Sequence, residues 1–184
     1  MALEHHFYMD TSASRHELRG ALLQAGLGFQ VGSEWKVPST GGVGVGAFTE
    51  ATSVSILDDL SGYTTRPDNG VIATRSVCFR DRKAYLSKPE AAGQFERQTT
   101  LGIMALLRAF PEADAYWEAY DARVPLLLRQ VGRLILSEAE TKPGEFWDPD
   151  HAPTRTLVDL PYVVEPLGPW EDVPVGAPEL EERQ

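Results

Sequence analysis

The sequence predicts an α+β domain: a mainly antiparallel sheet with two principal helices, at about 14–25 and 88–109. Three observations carry that prediction. Stretches with strand alternation, or rich in β-branched and aromatic residues, recur along most of the chain. Only two stretches combine helical spacing with a capping signal. Strands also follow one another without helices between them, unlike the alternating series that builds a parallel sheet.

The elements follow in order. "ALEHHFYM" alternates Leu3, His5, Phe7 and Met9 against Glu4, His6 and Tyr8, which is the period of a strand with one buried face. Ser14 and Glu17 have the spacing of a capping box, and Leu18, Ala21, Leu22 and Ala25 share a helical face before Gly26 and Gly28 end the run. "GFQVGSEWKV" and "VGVGAFTEATSVSILDDL" read as strands, "SGYTTRPDNG" as a loop and "VIATRSVCF" as another strand. Ser87 and Glu90 repeat the capping-box spacing. Ala92, Phe95, Thr99, Ile103, Leu106 and Phe110 then line one face of the main helix, with Leu101 and Met104 opposite, so its second half is expected to be covered on more than one side.

After Pro111, "DAYWEAY", "VPLLLRQ" and "RLILSEA" return to strands, and Val131 with Gly132 fits a hairpin turn. Prolines recur at 161, 166, 169, 174 and 178, with acidic residues gathering at the end. The organisation read from this is one domain over 1–160 and a mobile, proline-rich acidic tail over 161–184.

Composition limits the function classes. The chain of 184 residues is long enough for a core without metal or disulfide support. A single cysteine, Cys78, allows no internal disulfide and is expected to be a buried structural thiol in its strand. "MALEHHFYMDTSASRHELRG" lacks the basic start and apolar run of a signal peptide, and no apolar run is long enough to cross a bilayer, so a cytoplasmic protein is expected. A net charge of −10 repels nucleic acid and anionic membrane and favours a basic partner. "RSVCFRDRKAYL" holds Arg75, Arg80, Arg82 and Lys83, but in so acidic a chain it reads as a locally compensated patch.

The glycine segment "STGGVGVGAFTE" raises the question of a nucleotide site. Gly42, Gly44 and Ala47 satisfy the spacing of a dinucleotide fingerprint, yet "FTEATSVSIL" after them has no apolar face for a crossover helix. No Gly-Lys-Ser/Thr closes a phosphate loop either. The segment reads as a pliant connection entering a strand. His5 and His6, adjacent in a strand, point to opposite faces and share no metal. Asp148, Asp150 and His151 in "FWDPDH" match no closed ligand set. No catalytic residue, cofactor or metal is therefore assigned, and the protein is read as a binding module.

The opening "MALEHHFYMDTSASRHELRGAL", the later "GVGVGAFTEATSVSILDD", and "RLILSEAE" followed by "GEFW" resemble the myxobacterial swarming-inhibition family of toxin-immunity proteins. The likeness covers about residues 1–160. It implies an immunity protein that binds a cognate polymorphic toxin and neutralises it by surface occlusion, and it carries over no functional residues. The partner-binding candidates are Asp58, Asp59, Trp117, Trp147, Asp148 and Asp150, with Trp170 also considered. Core packing is the competing role for the tryptophans. The alternative function is a small enzyme or ligand-binding domain with a pocket near Asp58, Asp59 and the glycines of 41–46.

Overall fold

The computed structural model describes residues 3–38, 41–58, 65–67, 71–82, 90–119, 125–150, 153–168 and 170–172. The chain runs β1 (Glu4–Asp10), α1 (Arg15–Gln24), β2 (Gln30–Lys36), β3 (Val43–Phe48), β4 (Thr52–Leu57), β5 (Thr65–Pro67), β6 (Arg75–Asp81), α2 (Glu90–Ala109), β7 (Asp114–Ala119), β8 (Leu127–Gln130), β9 (Arg133–Ser137), β10 (Tyr162–Glu165) and β11 (Trp170–Asp172). Nine strands form one sheet in the order β10-β9-β8-β7-β1-β6-β4-β3-β2, while β11 pairs with β5. Every pairing is antiparallel except β10 with β9. The fold is thus α+β, with the predicted sheet and helices. Among the described residues no helix is long and apolar enough to cross a membrane.

Both helices cover one face of the sheet. Ser14 caps α1 through the complete capping box: its hydroxyl accepts from the Glu17 N–H, and the Glu17 side chain accepts from the Ser14 N–H. Leu18 and Leu22 are the buried face of α1, whereas Ala25 is its exposed C-cap. In α2, residues 102–107 are all buried, as the two-sided apolar pattern of its second half requires. These helices pack with Phe7, Met9, Val45, Ile56, Val77, Phe79 and Trp117 in one large core. Ser87, of the second capping-box spacing, lies outside the described residues.

Three features differ from the sequence expectation. Strand β1 is buried on both faces, because Tyr8 enters a second, smaller cluster with Tyr116, Leu128, Ile135 and Val71. "SGYTTRPDNG" contains the short strand β5, and the strand expected from Val71 begins at Arg75. Residues 162–165, which composition assigned to the tail, join the sheet alongside β9. The β8–β9 hairpin closes as expected: Val131 and Gly132 have φ of 50° and 73°, and Asp114 Oδ1 accepts the Val131 N–H at 2.7 Å.

Candidate functional site

The face of the sheet turned away from the helices has an apolar end and a polar middle. Strand register sets Gly46, Ser55, Cys78, His6 and Glu118 directly opposite one another across β3, β4, β6, β1 and β7. Beside that row run Phe48, Ser53, Arg80 and Glu4. On its other side lies the apolar row of Tyr8, Tyr116, Leu128 and Ile135. A thiol, an imidazole and two carboxylates therefore meet on central strands, where both neighbours fix the backbone.

Cys78 Sγ, a His6 ring nitrogen and a Glu4 carboxylate oxygen all lie within 4.8 Å of one another. Glu4 Oε1 accepts from Arg80 at 2.6 Å, and Oε2 lies 3.5 Å from His6 Nε2. The His6 ring stacks on Tyr8 with centroids 6.0 Å apart. Burial pushes the Cys78 thiol up to about 12, and the Glu4 charge adds to the effect. Burial also lowers the pKa of His6, against the opposing pull of Glu4. Glu118 is raised by burial, while a hydrogen bond with Tyr8 works the other way.

These environments bear on what the cluster can do. An activated cysteine nucleophile needs a cationic neighbour that stabilises its thiolate. Here burial and the Glu4 carboxylate outweigh the opposing charge of Arg80 on the half-buried thiol, so the proton stays on sulfur. The set offers instead one sulfur, one nitrogen and one oxygen donor, the types that bind a borderline-soft cation.

Sequence reasoning missed this grouping, since Cys78 is more than seventy residues from His6 and only the β1–β6 register joins them. The opposite-face argument for the two histidines does hold. His6 is half-buried on this face, and His5 is buried on the helix side, where its Nδ1 accepts the Trp117 Nε1–H at 3.0 Å. Cys78 is half-buried in its strand.

The residues expected to bind a partner are placed differently. Trp117 and Trp147 are fully buried, so core packing is their role and no partner reaches either ring. They meet edge to face at 5.4 Å, Phe146 packs against both, and Trp147 Nε1–H donates to the Leu126 carbonyl at 2.7 Å. Asp148 is buried too, accepting the N–H groups of Gly144 at 2.7 Å and Asp150 at 2.9 Å. That bonding makes it the organiser of its loop. Asp150 is exposed. Asp58 is ion-paired with Arg15 of α1. Asp59 and His151 lie outside the described residues, and for Trp170 the description stops at the backbone.

The glycine segment is strand rather than connection. A Cβ at Gly44 would lie 2.4 Å from the Trp35 ring, and one at Gly46 would lie 3.0 Å from the Ser33 carbonyl oxygen. These glycines let the bulged edge strand β2 and its tryptophan lie flat on β3. The space a phosphate would need beside Gly44 is filled by indole. A shallow groove of about 370 Å³ does pass over Gly46, between Trp35, Phe48, Ser53 and Ser55. Asp58 does not line it: Arg15 draws that carboxylate to the helix side. The chain matches no family model and no curated protein.

Proposed function

We propose that the protein is an immunity protein, which binds a basic toxin and neutralises it by covering its working surface. One observation carries the reading: three exposed carboxylates, Glu138, Glu145 and Asp150, on a segment pinned to the core. Trp147 anchors the segment, Asp148 fixes its turn, and the Thr154 hydroxyl donates to the Phe146 carbonyl at 2.7 Å. Among the described residues none of the three carboxylates makes an ion pair. Arg15, Arg19, Arg80, Arg108 and Arg133, in contrast, are each paired with an acid. Glu140, within the same segment, has its pKa raised by burial and by the charge of Glu145, a sign of mutual repulsion that a cationic partner would relieve.

The net charge of −10 acts in the same direction at long range. Complementary charge speeds encounter, and a rigid segment loses little freedom on docking. The family resemblance in the sequence is an independent support, and it supplies the toxin as the class of partner.

Co-expression with the neighbouring open reading frame tests the reading. Rescue of growth, together with a stable complex on size exclusion, is expected. In that complex the triple variant E138K/E145K/D150K lowers the association rate at low salt by about tenfold or more. A neighbouring gene product that is toxic and neither rescued nor bound sinks the immunity reading. An unchanged association rate in the triple variant removes these three carboxylates from it.

A further inference from the structure

We propose that Glu4, His6 and Cys78 form a site for a divalent transition cation of the zinc type, set on the sheet face opposite the helices. The ligands are the Cys78 thiolate, a His6 ring nitrogen and one Glu4 carboxylate oxygen. Water fills the fourth position of a tetrahedron.

The geometry supports this in three ways. First, the three donor atoms lie within 4.8 Å of one another. Bonds of about 2.0–2.3 Å to a tetrahedral ion put its donors roughly 3.3–3.8 Å apart, so closure asks for side-chain movements of about 1 Å. The separation of 3.5 Å between His6 Nε2 and Glu4 Oε2 already falls in that range. Second, the backbone is fixed: His6 and Cys78 are direct partners on adjacent strands, and Glu4 lies two residues along on the same face. Third, His6 keeps a ring nitrogen without structural employment, while its Nε2 faces only the proposed co-ligand Glu4 among the described residues. Nδ1 is buried and has no hydrogen-bond partner among the described residues, whereas Nδ1 of His5 is occupied by Trp117.

The surroundings suit an ion as well. Arg80 holds the other oxygen of Glu4 at 2.6 Å, an outer contact of the kind that orients a ligating carboxylate. The side chains of Glu4 and His6 remain about one-fifth exposed, at 22% and 20%, so the cation has a way in from solvent. Binding releases the Cys78 proton to water and forms the metal–sulfur bond. One thiolate and one carboxylate then balance the two positive charges of the ion. A thiolate with an imidazole favours zinc over magnesium or calcium, which prefer all-oxygen shells.

The test uses the full chain without a histidine tag and Co²⁺ as the spectroscopic stand-in for Zn²⁺. Titration is expected to saturate at one equivalent, with intense visible bands and a sulfur-to-cobalt charge-transfer band, all bleached by added Zn²⁺. Cys78→Ser, checked for an unchanged circular dichroism spectrum, loses the charge-transfer band, and His6→Gln weakens uptake. Zinc also protects Cys78 of the wild-type protein from alkylation. Uptake with no charge-transfer band, a band that persists in Cys78→Ser, or no uptake at cobalt concentrations equal to the protein's overturns the proposal. The alkylation assay on unmutated protein keeps the question decidable if a variant fails to fold.

Discussion

His5 sits in the helix-side core within 5.5 Å of the rings of Phe95 and Trp117, and its Nδ1 accepts a hydrogen bond from the Trp117 indole. Burial, with a smaller contribution from His6, lowers its pKa to about 4 from an ordinary 6.5. Between those values the unfolded chain holds the proton and the native protein does not, so acid favours unfolding. The stabilisation is complete above pH 6.5 and is lost as pH falls toward 4. By the conversion of 1.36 kcal/mol per unit the loss is on the order of 3 kcal/mol. Urea midpoints measured with chelator present should fall over that window, and the fall should shrink in His5→Gln, whose amide oxygen can still accept from Trp117. An equal fall in the variant assigns the pH dependence to other groups.

At the scale of elements, the C-terminal end of α2 hangs on one side chain from β8. Arg129 is 4% exposed, and its guanidinium donates to the carbonyls of Ala113 at 2.7 Å, Leu107 at 2.6 Å and Phe110. It thereby satisfies carbonyls that a helix end leaves open. Arg129→Met keeps the bulk but removes all three bonds, leaving the Phe110 carbonyl only its bond from the Ala113 N–H at 3.2 Å, and should lower unfolding free energy by about 2–4 kcal/mol. Arg129→Lys should fall between, since an ammonium lacks the planar fork. Denaturant midpoints at constant m-value check both, and a Met variant as stable as wild type excludes the clamp. Nothing in the sequence marks this arginine, because its partners are backbone atoms on another element. The capping box of α1, the apolar faces of both helices and the Val131–Gly132 hairpin were legible, because each is encoded within a few residues. The Glu4–His6–Cys78 grouping was not, since it arises from register between distant strands. The role of Trp117 and Trp147 also waited on the fold: burial and partner contact leave the same residue type in a sequence.

For the molecule as a whole, the sheet reaches past the boundary that proline and acid content suggest. Val163 and Val164 pair with Ile135 and Leu136, Tyr162 packs against the main core, and Glu165 is ion-paired with Arg133. A chain ending at residue 160 should therefore have a lower denaturant midpoint than one ending at 168, and should associate through β9, whose "LILS" run becomes an open edge. Equal stability and equal monodispersity of the two chains would return 161–168 to the status of a tail.

The central place of β1 also has a consequence for how the chain is made. Its two neighbours are β6 and β7, the second of which emerges roughly a hundred residues later, a delay on the order of ten seconds at ribosomal speeds. Phe7, Tyr8 and Met9, all buried in the finished protein, can pair with β6 first and gain their β7 neighbours only at the end of that interval. β1 joins the two sides of the sheet, the β6-β4-β3-β2 side being translated before the β7-β8-β9-β10 side. Long-range pairing of this kind slows folding, so the closure of β7 onto β1 is expected to come late.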